Sequence, residues 1–92
     1  MMVPLNSAVQ EVLRRLKKLP DGGAVDMRTF KRDRSVMVQK CGNGTYRIVQ
    51  DGFEQRTFAD VPEAKLKKQL QSLLSKEFPR SNNVRLYQVD VE

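Results

Sequence analysis

The sequence predicts an α+β domain in which an antiparallel sheet carries two helices on one face, in the order α-(β)-β-β-β-α-β. Three observations carry this prediction. Two segments, one near the start and one from Asp60 to Phe78, place their apolar residues at the 3.6-residue period of a helix. Between them, three short runs rich in strand formers are separated by Gly42-Asn43-Gly44 and Asp51-Gly52, which supply the positive φ that tight hairpins need. A last run, Val84 to Val91, has the β-branched and aromatic content of one more strand. A chain of 92 residues with 39% apolar content has enough core for one domain, residues 1–92, and no room for two.

The first helix is expected to open at Ser7, which with Gln10 has the spacing of a capping box. Val9, Val12, Leu13 and Leu16 form its apolar face, and Leu19-Pro20-Asp21-Gly22-Gly23 ends it, because proline disfavours helical geometry in the residue before it. Arg14, Arg15, Lys17 and Lys18 take the remaining positions. Lysines in a last turn complement the helix dipole, so they need no ligand to explain them. The bracketed strand, Ala24 to Phe30, rests only on Val25 and Met27 alternating with Asp26 and Arg28. Lys31-Arg32-Asp33-Arg34 then makes a basic loop, with a composition suited either to a phosphate backbone or to a solvated connection.

The meander comprises Ser35 to Cys41, Thr45 to Gln50 and Phe53 to Phe58. For its first hairpin a three-residue loop is preferred over a two-residue one, because Val36, Val38, Tyr46, Ile48 and Phe53 then share one apolar face. For the second, a two-residue Asp51-Gly52 turn would set Gln50 opposite Phe53 and Arg47 opposite Arg56. The other face would then show Gln39, Arg47 and Arg56 in a row, near Met37, Val49 and Phe58. Like charges directly opposite destabilise a sheet by about 0.2–1 kcal/mol unless something compensates, a role Glu54 could fill.

The second helix is expected from Asp60, with Glu63 three residues on and Pro62 in the first turn. Leu66, Leu70, Leu73, Leu74 and Phe78 fall on one stripe and Pro79 stops the helix. Lys65, Lys68 and Lys76 lie on its outer side, with Ser72 among them, while Lys67 falls at the edge of the stripe. The last strand has apolar residues on both sides, which fits pairing inside the sheet or with another subunit.

The 17 basic and 11 acidic residues give a net charge of +6, with eight of the basic residues in positions 1–34. Such a balance suits an acidic partner. Several chemistries are excluded by composition. There is no histidine and only one cysteine, Cys41, so a Ser-His-Asp or Cys-His arrangement and a Cys/His zinc set cannot be assembled. No phosphate-cradling glycine motif is present. Neither catalytic residues nor a cofactor is expected. The absence of an apolar run long enough to span a membrane, of a signal-peptide pattern and of paired cysteines points to a cytoplasmic protein without membrane contact.

In element order, helix, meander and helix, the chain resembles a double-stranded RNA-binding domain. The likeness is one of order, with no shared motif around Lys65 to Lys68. The sequence thus supports a non-catalytic basic domain that binds RNA before DNA, through Lys65, Lys68, Lys76, Arg47, Arg56, Lys31, Arg32 and Arg34. The alternative is a protein-interaction or regulatory domain, homodimeric through its last strand, whose charge serves solubility.

Overall fold

In a computed structural model, residues 2–28, 34–52, 54–78 and 83–90 are described. They form β1 (Met2–Pro4), α1 (Leu5–Lys18), β2 (Gly23–Arg28), β3 (Ser35–Lys40), β4 (Thr45–Asp51), β5 (Gln55–Pro62), α2 (Glu63–Glu77) and β6 (Asn83–Asp90). The predicted α+β order holds, preceded by one short strand. All pairings are antiparallel and join the strands into one six-stranded sheet, β1-β6-β2-β3-β4-β5. Both helices lie on the same face. Val12, Leu16, Leu66 and Leu70 pack there with Val25, Met27, Val36, Val38, Ile48 and Leu86 in one buried core. Helix α1 rests on β1, β2 and β6, and α2 on β3, β4 and β5.

Neither helix starts where its capping pattern suggests. The chain runs straight from β1 into α1 at Leu5, with Pro4 at the N-cap and no side-chain cap. Val3 is buried opposite Val84, so strand pairing fixes the entry and leaves Ser7 already inside the first turn. Its hydroxyl donates instead to Asn6 Oδ1 at 3.3 Å. Likewise β5 continues through Pro62, and α2 begins at Glu63, again without a side-chain cap. Pairing of Tyr46 with Val61 buries both side chains, a gain that outweighs an Asp60 cap. Asp60 itself has φ of 54°, beside an irregularity in the β4–β5 register between Tyr46 and Ile48. Ala59 and Asp60 stand opposite the single Arg47, and the one extra residue bends the strand there, as a bulge does.

The first hairpin has the expected three-residue loop. Cys41 N–H donates to the Thr45 carbonyl at 3.0 Å, and Gly44 takes φ of 75°, the left-handed residue that closes such loops. Val38 pairs with Ile48, and Gln39 with Arg47.

The second hairpin departs from the two-residue turn. Asp51 pairs with Gln55, Gln50 with Arg56 and Ile48 with Phe58, so the chain turns between Asp51 and Gln55. The shift is an odd number of residues, which exchanges the two faces of β5. Arg56 and Phe58 therefore sit on the helix-bearing face, and the expected row of Gln39, Arg47 and Arg56 is not formed. Phe53, assigned to the apolar face by sequence, lies outside the described residues. Strand β6 pairs internally, with β2 from Arg85 to Asp90 and with β1 at Asn83, Val84 and Arg85.

Candidate nucleic-acid interface

The new β5 register brings most of the exposed cations of α2 and β5 to one place. Along α2, Lys65, Lys68, Gln69, Ser72 and Lys76 recur at three- and four-residue steps, the spacing of one helix face. That face is not the one that inserts Leu66, Leu70 and Leu74 into the core. Beside it, Arg56 and Phe58 project from the edge strand. Together with Gln50 and the buried Leu73 these side chains line a concavity of about 560 Å³ between helix and strand. Phe58 is partly buried and packs on the core from the floor of this groove, while Lys65, Lys68, Lys76 and Arg56 are exposed on its rim.

A carboxylate stands beside two of the four cations. Glu54 Oε2 lies 2.9 Å from Arg56 Nε, and its Oε1 accepts a hydrogen bond from Lys76 Nζ at 3.2 Å. Glu54 thus links the connection before β5 to the last turn of α2. Lys65 and Lys68 form no ion pair with the described residues. The helical arrangement leaves their ammonium groups to water or to a ligand.

Gln50 forms the inner wall and is not free to meet a ligand. Its Nε2 donates to Glu77 Oε2 at 2.7 Å, and both residues are buried.

The remaining sequence-predicted residues lie elsewhere. Arg47 is exposed on the opposite, uncovered face of the sheet, across from Gln39. It cannot share a ligand surface with Arg56, because the sheet stands between them. Arg34 Nη1 donates to the Glu77 carbonyl at 3.1 Å, where it satisfies an end carbonyl of α2 and complements the negative end of the helix dipole. Its position is explained by structure. Lys31 and Arg32 lie outside the described residues. Lys67, at the edge of the leucine stripe, lines a separate groove between α1 and α2 with Gln10, Gln71 and Phe78.

Sequence reasoning missed two things. Phe58 and Gln69 belong to the groove, but only the true β5 register turns Phe58 towards α2. On the uncovered face, Arg28 Nε donates to Asp26 Oδ2 at 2.7 Å, and its guanidinium lies 5.9 Å from the centre of the Tyr87 ring. The Asp26 hydrogen bond and charge raise the pKa of Arg28. Asp26 and Arg28 share a face by their two-residue spacing. Tyr87 joins them only because β6 returns to pair with β2, a long-range fact with no local signal.

Among the described residues, no group of three Cys, Asp or Glu side chains is placed to hold a metal ion. No helix among them is long and apolar enough to cross a membrane. Fold and groove together define a six-stranded α+β domain with a basic edge. Comparison with protein-family models, with curated proteins and with solved structures finds no match.

Proposed function

We propose that this is a non-catalytic nucleic-acid-binding domain whose ligand lays its phosphates along the groove between α2 and β5. The observation that supports it most is the convergence of Lys65, Lys68, Lys76 and Arg56 from two elements around one concavity, with Glu54 paired to two of them. Cations on a rim can neutralise successive phosphates and release their counterions, a gain that does not depend on sequence. RNA is favoured over DNA because Gln69 and Ser72 stand between the lysines. Their side chains both donate and accept, which suits a 2′-hydroxyl.

A second reading has its own observation. Met37, Val49, Val89 and Tyr87 are half-buried on the sheet face that no helix covers, a surface better suited to a protein partner.

Fluorescence anisotropy with RNA and DNA oligonucleotides separates the two. If three or four phosphates are contacted, affinity for a single strand should fall roughly 20- to 50-fold between 50 and 200 mM salt. A Lys65→Glu, Lys68→Glu variant should lose most of the binding. Arg47→Glu, on the far face, should lose little. Absence of binding to any oligonucleotide at 50 mM salt would reject the nucleic-acid reading.

A further inference from the structure

We infer that the groove takes a single-stranded segment, with one unstacked base set against Phe58 and its neighbouring phosphates on Lys65, Lys68 and Arg56. The inference rests on the nucleic-acid reading above and adds to it the form of the ligand.

Three observations lead to it. The first is shape. The cations surround a concavity of about 560 Å³, within the roughly 300–1,000 Å³ of pockets that enclose a small molecule. A duplex is convex towards a protein and keeps the faces of its bases inside the stack, so it can offer this floor sugar, phosphate and base edges but no base face. A single strand can turn a base inward.

The second observation is the floor itself. Phe58 packs its inner side on the core and lines the groove with the remainder. Its backbone is fixed by pairing of Phe58 with the buried Ile48 and its side chain packs on the core, so little freedom is lost when a base meets it. An aromatic surface flanked by cations is the arrangement by which proteins bind single strands without sequence preference.

The third is extent. From Lys65 to Lys76 the helix rises about 16 Å. Such a row can follow a few nucleotides of one strand. A double-stranded RNA-binding domain instead spans about 16 base pairs across two minor grooves, and the likeness in element order does not extend to that surface. Here Arg47 faces away from the groove, on the uncovered face of the sheet.

The experiment compares three ligands of matched length by anisotropy at 50 and 200 mM salt: a single-stranded RNA, its duplex, and an abasic strand with the same number of phosphates. The single strand should bind about tenfold more tightly than the abasic strand, the effect of losing one base stack, with the same salt slope. It should also bind more tightly than the duplex. Phe58→Leu, which keeps an apolar side chain on the core, should bring the intact strand down to the abasic affinity, and Phe58→Tyr should restore it. Thermal unfolding of both variants confirms that they are folded. Equal affinity for intact and abasic strands, or tighter binding of the duplex, would overturn the inference. If the Lys65→Glu, Lys68→Glu variant still weakened that binding, the nucleic-acid reading would stand without it. Failure of all three ligands at 50 mM salt would remove both. Equally strong competition by polyglutamate would assign the groove to an acidic protein segment and overturn the inference as well.

Discussion

Gln50 Nε2 reaches Glu77 Oε2 over 2.7 Å in the interior of the domain, tying the end of β4 to the last turn of α2. Glu77 is fully buried. A carboxylate removed from water is costly unless hydrogen bonds replace its solvation, so this amide is part of what permits α2 to end where it does. Gly52 completes the arrangement, because a Cβ there would overlap the Glu77 carboxylate.

Replacing Gln50 by Leu keeps the volume and removes the donor. The expected loss is about 1–3 kcal/mol, read from urea denaturation at pH 7. Gly52→Ala should also destabilise, by about 1–3 kcal/mol, since the carboxylate must give up its place beside Gln50. The two changes act on one group, and together they should cost less than the sum. Strict additivity would show that Gly52 and Gln50 serve Glu77 independently.

At Asp60 the backbone takes φ of 54°, a region that side chains other than glycine occupy at a cost of about 1–2 kcal/mol. Asp60→Gly should therefore leave stability unchanged or raise it slightly. Asp60→Val, with a β-branched side chain, should lower it by at least about 1 kcal/mol. A thermal melt in which valine were tolerated as well as glycine would show that the bulge relaxes.

Burial, and then the nearby charge of Glu63, raises the pKa of Tyr46 above its ordinary value near 10. The neutral phenol is the form favoured in the folded state. Above about pH 10 the unfolded chain releases this proton first, so it binds fewer protons than the folded chain and stability falls as pH rises. Wild type and Tyr46→Phe should differ by a constant amount at pH 7 to 9. The wild type should then lose stability faster than the variant between pH 10 and 11. Parallel denaturation curves across that interval would contradict the assignment.

Glu54 stands between Arg56 and Lys76 at the end of the groove. Its pairs are about half-exposed, and surface pairs contribute at most about 1 kcal/mol, so Glu54→Gln should leave the melting temperature nearly unchanged. If the groove binds phosphates, the same variant should bind an RNA strand more tightly, by several-fold at 50 mM salt, because a competing anion has been removed. Weaker binding would mean that Glu54 orients the two cations for the ligand.

Local chemistry explains what could be read from the chain and what could not. The three-residue loop at Gly42 to Gly44 was legible because Val36, Val38, Tyr46 and Ile48 need a common face, and one register provides it. Asp51-Gly52 misled, since that dipeptide favours a two-residue turn and nothing nearby reveals the close approach of Glu77 to Gly52. From that one register follow the misplaced row of arginines and the assignment of Phe58 to the uncovered face. Both capping boxes were sound as local patterns. They lost to strand pairs formed at long range, Val3 with Val84 and Tyr46 with Val61. At three residues, β1 was too short to show any period. Of the predicted cations, Lys65, Lys68 and Lys76 were correctly grouped because helix spacing alone decides it.

The bulge at Asp60 has a further effect on how the domain lives among its neighbours. Strand β5 lies at the border of the sheet, where unpaired backbone groups invite a strand from another molecule. The kink at Asp60, the proline at 62 and the charge of Arg56 are each features that discourage such an addition. The border that carries the basic groove is thereby guarded against stacking into aggregates, which keeps its cations open to water in a crowded solution.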